Sequence, residues 1–222
     1  MSDIKQFNLR VGQRAERKTL LTVAEWTEYS LTTAQPADWA TNYEDYFTRT
    51  TTATGYVYDP VEAGTTAPVW AADKYYAAEQ VREILGTRTE DSSIEYNADI
   101  ATSTDILGNN YTDVNKTQPQ QSFDPFLVLG GSRLGAMLND IRRRNALAEL
   151  DQFTVYIITA FIGNTTSGFE AEKQTNCTIS YDSIGGDVNV NFPITVNYSN
   201  KITTGKVNKL SSDFTFTPDV SV

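Results

Sequence analysis

The sequence predicts a mainly β protein, a β-rich α+β fold, and three observations lead there. Aromatic residues reach 11%, mostly Tyr and Phe, and Thr is plentiful; β-branched and aromatic side chains suit a pleated, half-buried surface. Several segments alternate apolar and polar residues, most cleanly Val188, Val190, Phe192, Ile194, Val196 and Tyr198 with Asn189, Asn191 and Thr195 between them. Only one stretch, Ser132 to Leu150, carries a clear helical stripe. At 222 residues the chain can bury one substantial core, so 1–222 reads as a single domain.

The elements follow in order. Behind a basic cluster at Arg14, Arg17 and Lys18, the residues Leu20, Leu21, Val23, Trp26 and Tyr29 suit a first core element. From Ala34 to Ala72 periodicity dissolves into turn chemistry, such as Thr50-Thr51-Thr52-Ala53-Thr54-Gly55. Yet this stretch carries Trp39, Tyr43, Tyr46, Phe47, Tyr56, Tyr58 and Trp70. So many rings are foreign to a disordered linker. The segment 34–72 is therefore read as a long loop docked on a neighbouring subunit, with docking on its own barrel the alternative. Asp73 to Leu85 stays open between helix and strand: Ala77, Val81, Ile84 and Leu85 match a helical stripe with Asp73 as cap and Gly86 as stop.

Thr87 to Glu90 and Ile94 to Ala98 read as extended, and Asp105 to Asn110 as a turn. In the helix, Leu134, Met137, Leu138, Ile141 and Leu147 form the apolar face, with Ser132 placed to cap it. Arg142, Arg143 and Arg144 sit late, where positive charge complements the helix dipole. Phe153 to Ile162 is the most hydrophobic strand, ended by Gly163 to Gly168; further strands are expected near 175–181, 187–198 and 203–209. Pro193 places the second of these at an edge or a bulge. The tail, 210–222, with Phe214, Phe216 and Pro218, reads as a C-terminal arm able to add to another sheet.

Composition removes most chemistry. With no histidine, imidazole bases, Ser-His-Asp and Cys-His nucleophilic sites and the usual zinc sets are excluded. Cys177 is the sole cysteine and reads as a buried strand residue. Gly131-Ser132-Arg133-Leu134-Gly135 misses the spacing of a nucleophile elbow, and Gly205-Lys206-Val207 lacks the rest of a phosphate loop. Asp182 and Asp187 fit no known calcium loop. No catalytic, cofactor-binding or metal-ligating residue, and no cofactor, is expected. Nor does any apolar run approach the ~18–20 residues that cross a bilayer, and Met1 to Gln6 lacks the apolar core of a secretory signal. Charge is uneven within the total of −10: residues 21–131 hold five bases and seventeen acids. That argues against a direct grip on nucleic acid, which needs Lys and Arg against phosphates.

One ordered set of strings adds a resemblance. Ser93-Ile94-Glu95-Tyr96-Asn97 comes first. Thr112 to Pro119 (Thr-Asp-Val-Asn-Lys-x-x-Pro) leads to Phe123-Asp124-Pro125. Then follow the helix, the hydrophobic strand, Ala171-Glu172-Lys173, a Gly185-Gly186-Asp187 turn and Phe192-Pro193. Over about half the chain this order resembles the tail tube (major tail) proteins of long-tailed bacteriophages, especially those infecting Firmicutes. The resemblance implies a β-sandwich or small barrel with one flanking α-helix, a long loop and terminal arms. It implies a virion protein of the tail, made and assembled in the host cytoplasm. Its copies would form hexameric rings stacked into a tube, with tape-measure, tail-terminator and baseplate proteins as further partners and no membrane. DNA would pass through without specific binding. The intersubunit interface is expected at Trp39, Tyr43, Tyr46, Phe47, Tyr56, Tyr58 and Trp70, with Arg142, Arg143 and Arg144 meeting acidic surface on an adjacent copy. Alternatives from the same residues are a head decoration or baseplate protein, or a carbohydrate-binding module whose Trp39, Tyr43 and Trp70 stack on sugars.

Overall fold

A computed structural model describes residues 20–86, 89, 92–186 and 190–219; the cluster Arg14, Arg17 and Lys18, the Asp187 of the Gly-Gly-Asp turn and most of Thr87 to Glu90 lie outside them. The first half of the chain holds β1 (Leu20–Leu31), α1 (Trp39–Asn42), β2 (Tyr46–Thr52), β3 (Gly55–Pro60), β4 (Tyr75–Ile84), β5 (Ile94–Glu95), β6 (Asp99–Thr104) and β7 (Asn110–Lys116). The second half holds β8 (Gln120–Phe123), α2 (Arg133–Arg144), β9 (Phe153–Asn164), β10 (Gly168–Tyr181), β11 (Ile194–Asn197), β12 (Ile202–Val207) and β13 (Phe216–Pro218). The protein is mainly β and its ladders are antiparallel. The strands run β3-β2-β4-β1-β9-β10-β11-β8-β5, with β12 and then β13 branching from β10, while β6 and β7 pair only with each other.

The branch is made by β10. Its residues Phe169–Gln174 pair with β12, whereas Thr178–Tyr181 pair with β11. Between the two halves the register against β9 shifts, and Asn176 takes a left-handed φ of 57°. Such a bulge bends a strand and adds twist, which lets one strand serve two sheets. The main core lies between them: Trp26, Val81, Phe153 and Val155 from the larger sheet meet Phe123, Ile179, Ile194 and Val196 from the smaller one, with Leu134, Leu138 and Ile141 of α2 packed in. The opposite face of the larger sheet is also covered, by Phe214 and Phe216 over Val23, Tyr156, Ile158 and Phe169.

The helix starts as its sequence predicts. Ser132 Oγ accepts from Gly135 N–H at 3.0 Å, and Glu83 of β4 reaches over to accept from Leu134 N–H (3.0 Å) and from Ser132 Oγ (2.7 Å). Two of the helix's orphan groups are thus satisfied from outside the helix as well as within it. Replacing Ser132 by alanine removes both contacts; the expected loss is about 1 kcal/mol of unfolding free energy, measured by urea denaturation. Arg133 fastens the helix to the sheet through Glu28 (2.6 Å) and Glu79 (2.8 Å).

Several expectations are corrected. The helix stops at Arg144, not Leu150, because Asn145 adopts the left-handed cap conformation (φ 55°); Leu147 falls in a following 3₁₀ turn and is exposed. Asp73–Leu85 is strand over Tyr75–Ile84, held by nine register pairs to β1, with Asp73 at φ 59° in the turn before it. The segment 34–72 is not irregular throughout: it holds α1 and a β2–β3 hairpin, and β2 pairs with β4, with 61–72 remaining irregular. Within the tail 210–222, β13 pairs with β12 on one edge and Phe214 is buried against the larger sheet, which leaves the other edge of β13 open. Finally, β11 lies between β10 and β8 rather than at an edge; Pro193 stands just before it, its carbonyl accepting from Asp182 N–H.

Tyr156 sits at the centre of the covered face, with Phe214 edge-on at 4.9 Å and its hydroxyl donating to Glu25 Oε1 at 3.2 Å. Burial, and then the Glu25 charge, pushes this phenol up to about 12 from 10.0. Unfolded tyrosine ionises at the lower value, so this stabilising contribution is whole below pH 10 and is lost as pH rises toward 12. Unfolding free energy is expected to fall more steeply through that window in the wild type than in Tyr156→Phe, followed by denaturation at stepped alkaline pH.

Candidate assembly surface

The rings expected to face a neighbour are largely engaged at home. Trp39 and Tyr43 are 2% and 5% exposed and, with Tyr75, form a small core of their own against which Tyr46 and Trp70 pack. The local sequence explains it. Trp39 opens α1 and donates its indole N–H to Pro68 O (2.9 Å), and the Tyr43 hydroxyl bonds both the carbonyl and the N–H of Gly64 (2.7 and 2.8 Å). The irregular stretch 61–70 is therefore folded over α1 as a lid. Phe47 and Tyr58 pack on Tyr29 of β1, Tyr58 stacked at 3.9 Å and Phe47 edge-on at 5.1 Å.

Tyr56 lies between two guanidiniums, Arg49 at 4.3 Å and Arg144 at 4.4 Å from its ring centre. Arg144 does not wait for an adjacent copy: it makes a two-pronged pair with Glu149 (2.8 and 2.9 Å) and a further bond to Asp140. These bonds hold its guanidinium more firmly protonated than usual. Glu149 also accepts from Tyr56 N–H at 2.8 Å. That approach requires Gly55, where φ is +142° and an added Cβ would stand 2.5 Å from Glu149 Oε1. Arg142 and Arg143 are exposed, Arg142 bonding Asn139 at 2.9 Å. Of the ten expected interface residues, Trp39 and Tyr43 are buried, Tyr46, Phe47, Tyr56, Tyr58, Trp70 and Arg144 are half-buried, and Arg142 and Arg143 are exposed.

What remains open on the surface is different. β3, β5 and β13 each pair on one side only, so they end their sheets; Val57 on β3 is 45% exposed. Such edges present unpaired backbone groups to a further strand. The β6–β7 hairpin has every strand residue exposed, Ile100, Tyr111 and Val114 among them. Beside β1 and β8 an apolar cavity of about 550 Å³ is lined by Leu20, Leu21, Ile84, Leu85, Phe123 and Leu210. Its polar floor is Gln121, 3% exposed, whose Oε1 accepts from Thr22 Oγ1 (3.0 Å) and Tyr198 OH (2.6 Å). Composition could have flagged the hairpin: Ile100-Ala101-Thr102-Ser103-Thr104 and Tyr111-Thr112-Asp113-Val114 flank the expected turn. The cavity joins residues from four distant segments and has no such signal.

Among the described residues no three Cys, Asp or Glu side chains gather as a cation site. Cys177 is buried, and burial raises its thiol.

No family model matches the chain, and no curated protein does. Among solved structures, the chain is similar to a component of the sheath–tube complex of an extracellular contractile injection system (PVC) in its extended state. The identity is 15%, the match covers 55% of this chain and 86% of that one, and the TM-score is 0.34.

Proposed function

We propose that this chain is a tail-tube subunit of a long-tailed phage, a structural virion protein whose copies form hexameric rings stacked into a hollow tube for DNA. The observation that carries the reading is the open larger sheet, ended by β3 on one side and by β13 on the other. Such a sheet can continue from copy to copy until it closes, which removes exposed edges. The order of short motifs from Ser93 to Pro193 supports the same family. A formal charge of −10 suits a passage along which phosphates slide without binding. The carbohydrate-module reading is weaker, because Trp39 and Tyr43 are buried and offer no ring face to a sugar.

Negative-stain microscopy and sedimentation of the purified protein test the proposal. Tubes or six-fold rings are expected at high concentration. A particle that stays solitary there defeats it.

A further inference from the structure

We infer that the tip of the β6–β7 hairpin of one copy seats in the apolar cavity beside β1 and β8 of another copy; this deepens the tail-tube reading and rests on it. The hairpin is built to present its tip. Ile106 and Leu107 are 102% and 82% exposed. Asp105 holds the turn that carries them, its Oδ1 accepting from Leu107 and Asn109 N–H (both 2.8 Å) and its Oδ2 from Asn109 Nδ2 (2.9 Å) and Tyr111 OH (3.1 Å). Gly108, at φ +82°, closes it. A turn fixed in this way docks with little further loss of conformational freedom.

The ribbon behind the tip is equally unfinished. Two strands with no third are marginal in water, and here the register pairs Ile100 with Val114 and Thr102 with Thr112 on one uncovered face. Such a ribbon needs a partner surface. The chain supplies one itself: the cavity walls are aliphatic and aromatic, and its rim residues Leu20 and Leu210 are 38% and 41% exposed. No hairpin residue contributes to that lining. An apolar projection and an apolar recess at separate places on one molecule make a head-to-tail contact, which leaves a free projection and a free recess after every addition and so propagates. The rings of 34–72 and Phe214 pack largely within the chain, and the open edges of β3 and β13 offer backbone groups rather than an apolar projection, whereas every strand residue of the β6–β7 hairpin is exposed.

The test uses the full chain. Leu107→Cys and Leu210→Cys variants are mixed, allowed to assemble and treated with a short thiol–thiol cross-linker; the native Cys177 is buried. The expected product joins one variant to the other, and neither variant alone gives it. Products linking Leu107→Cys to itself, or tubes in which Leu210→Cys stays unlinked, overturn the inference, because then the tips meet each other or something else fills the recess. In a second arm, Ile106→Asp with Leu107→Asp is expected to leave monomer circular dichroism unchanged while raising the concentration needed for assembly by roughly tenfold or more. Assembly at the wild-type threshold overturns the contact and leaves the tail-tube reading standing. Failure of the wild type itself to assemble removes both.

Discussion

Replacing Trp39 by alanine is expected to destabilise the isolated chain by about 3–5 kcal/mol, the range for removing a buried aromatic side chain from a packed core. The indole is 2% exposed, lies 4.5 Å from Tyr75 and 5.4 Å from Tyr46 ring to ring, and holds Pro68 O through its N–H. Its loss leaves a hole where α1, the 61–70 lid and β4 converge. Because β2 joins the larger sheet through three register pairs to β4, the cost should appear as early release of the β2–β3 hairpin. Urea unfolding followed by tyrosine fluorescence measures the first effect, and hydrogen exchange at residues 46–60 the second. Had these rings belonged to an interface between copies, the same substitution would spare the monomer and damage only assembly. A stable monomer with failed assembly would therefore overturn this placement of Trp39.

The second large effect concerns Gln121. Leucine at this position strips the acceptor from two hydroxyls, those of Thr22 and Tyr198. An orphaned buried polar group costs about 1–3 kcal/mol, so the pair should lose about 2–6 kcal/mol. Thr22→Val removes one donor and leaves Gln121 still bonded to Tyr198, and should cost less than half as much. Tyr198 is held neutral by the same burial, which raises its phenol well above the usual range. These bonds tie β1 of the larger sheet to β8 and the start of the loop after β11. Thermal or urea denaturation of both variants ranks them directly; equal losses would mean that the Tyr198 bond contributes nothing to stability and would overturn the prediction.

Much of this architecture was legible beforehand, and the reason is periodicity. The stretch from Phe192 to Tyr198 alternates and buries one face, with Phe192, Ile194, Val196 and Tyr198 all buried, whereas β9 reads as a continuous apolar run because both of its faces are covered. The helix is legible from Leu134, Leu138 and Ile141, but its end is not, because the apolar Leu147 continues the stripe past Asn145, the left-handed cap residue. Asp73–Leu85 stayed open because Ala77, Val81 and Leu85 fall at four-residue intervals that suit a helix face, whereas Tyr75, Tyr76 and the nine-pair ladder to β1 decide for strand. The segment 34–72 is harder to read for a different reason. A dense group of rings without periodicity signals burial but not the surface that buries it; Trp39 and Tyr43 enter a second small core of the same chain, while Tyr46, Phe47, Tyr56, Tyr58 and Trp70 stay half-buried. The candidate contact was less legible still. Its projecting half follows from a turn between two β-branched runs, while its recess depends on residues as far apart as Leu20 and Leu210.

The kink at Asn176 fixes how much length variation the chain can absorb. Past that residue, Cys177, Ile179 and Tyr181 alternate with Thr178 and Ser180, and the former set faces the core. Removing one residue there would exchange the two sets, sending hydroxyls inward and the thiol and aliphatic groups to water. Indels are thus forbidden at this one point of β10, and homologous chains that vary freely elsewhere should keep an unchanged residue count between Gln174 and Cys177.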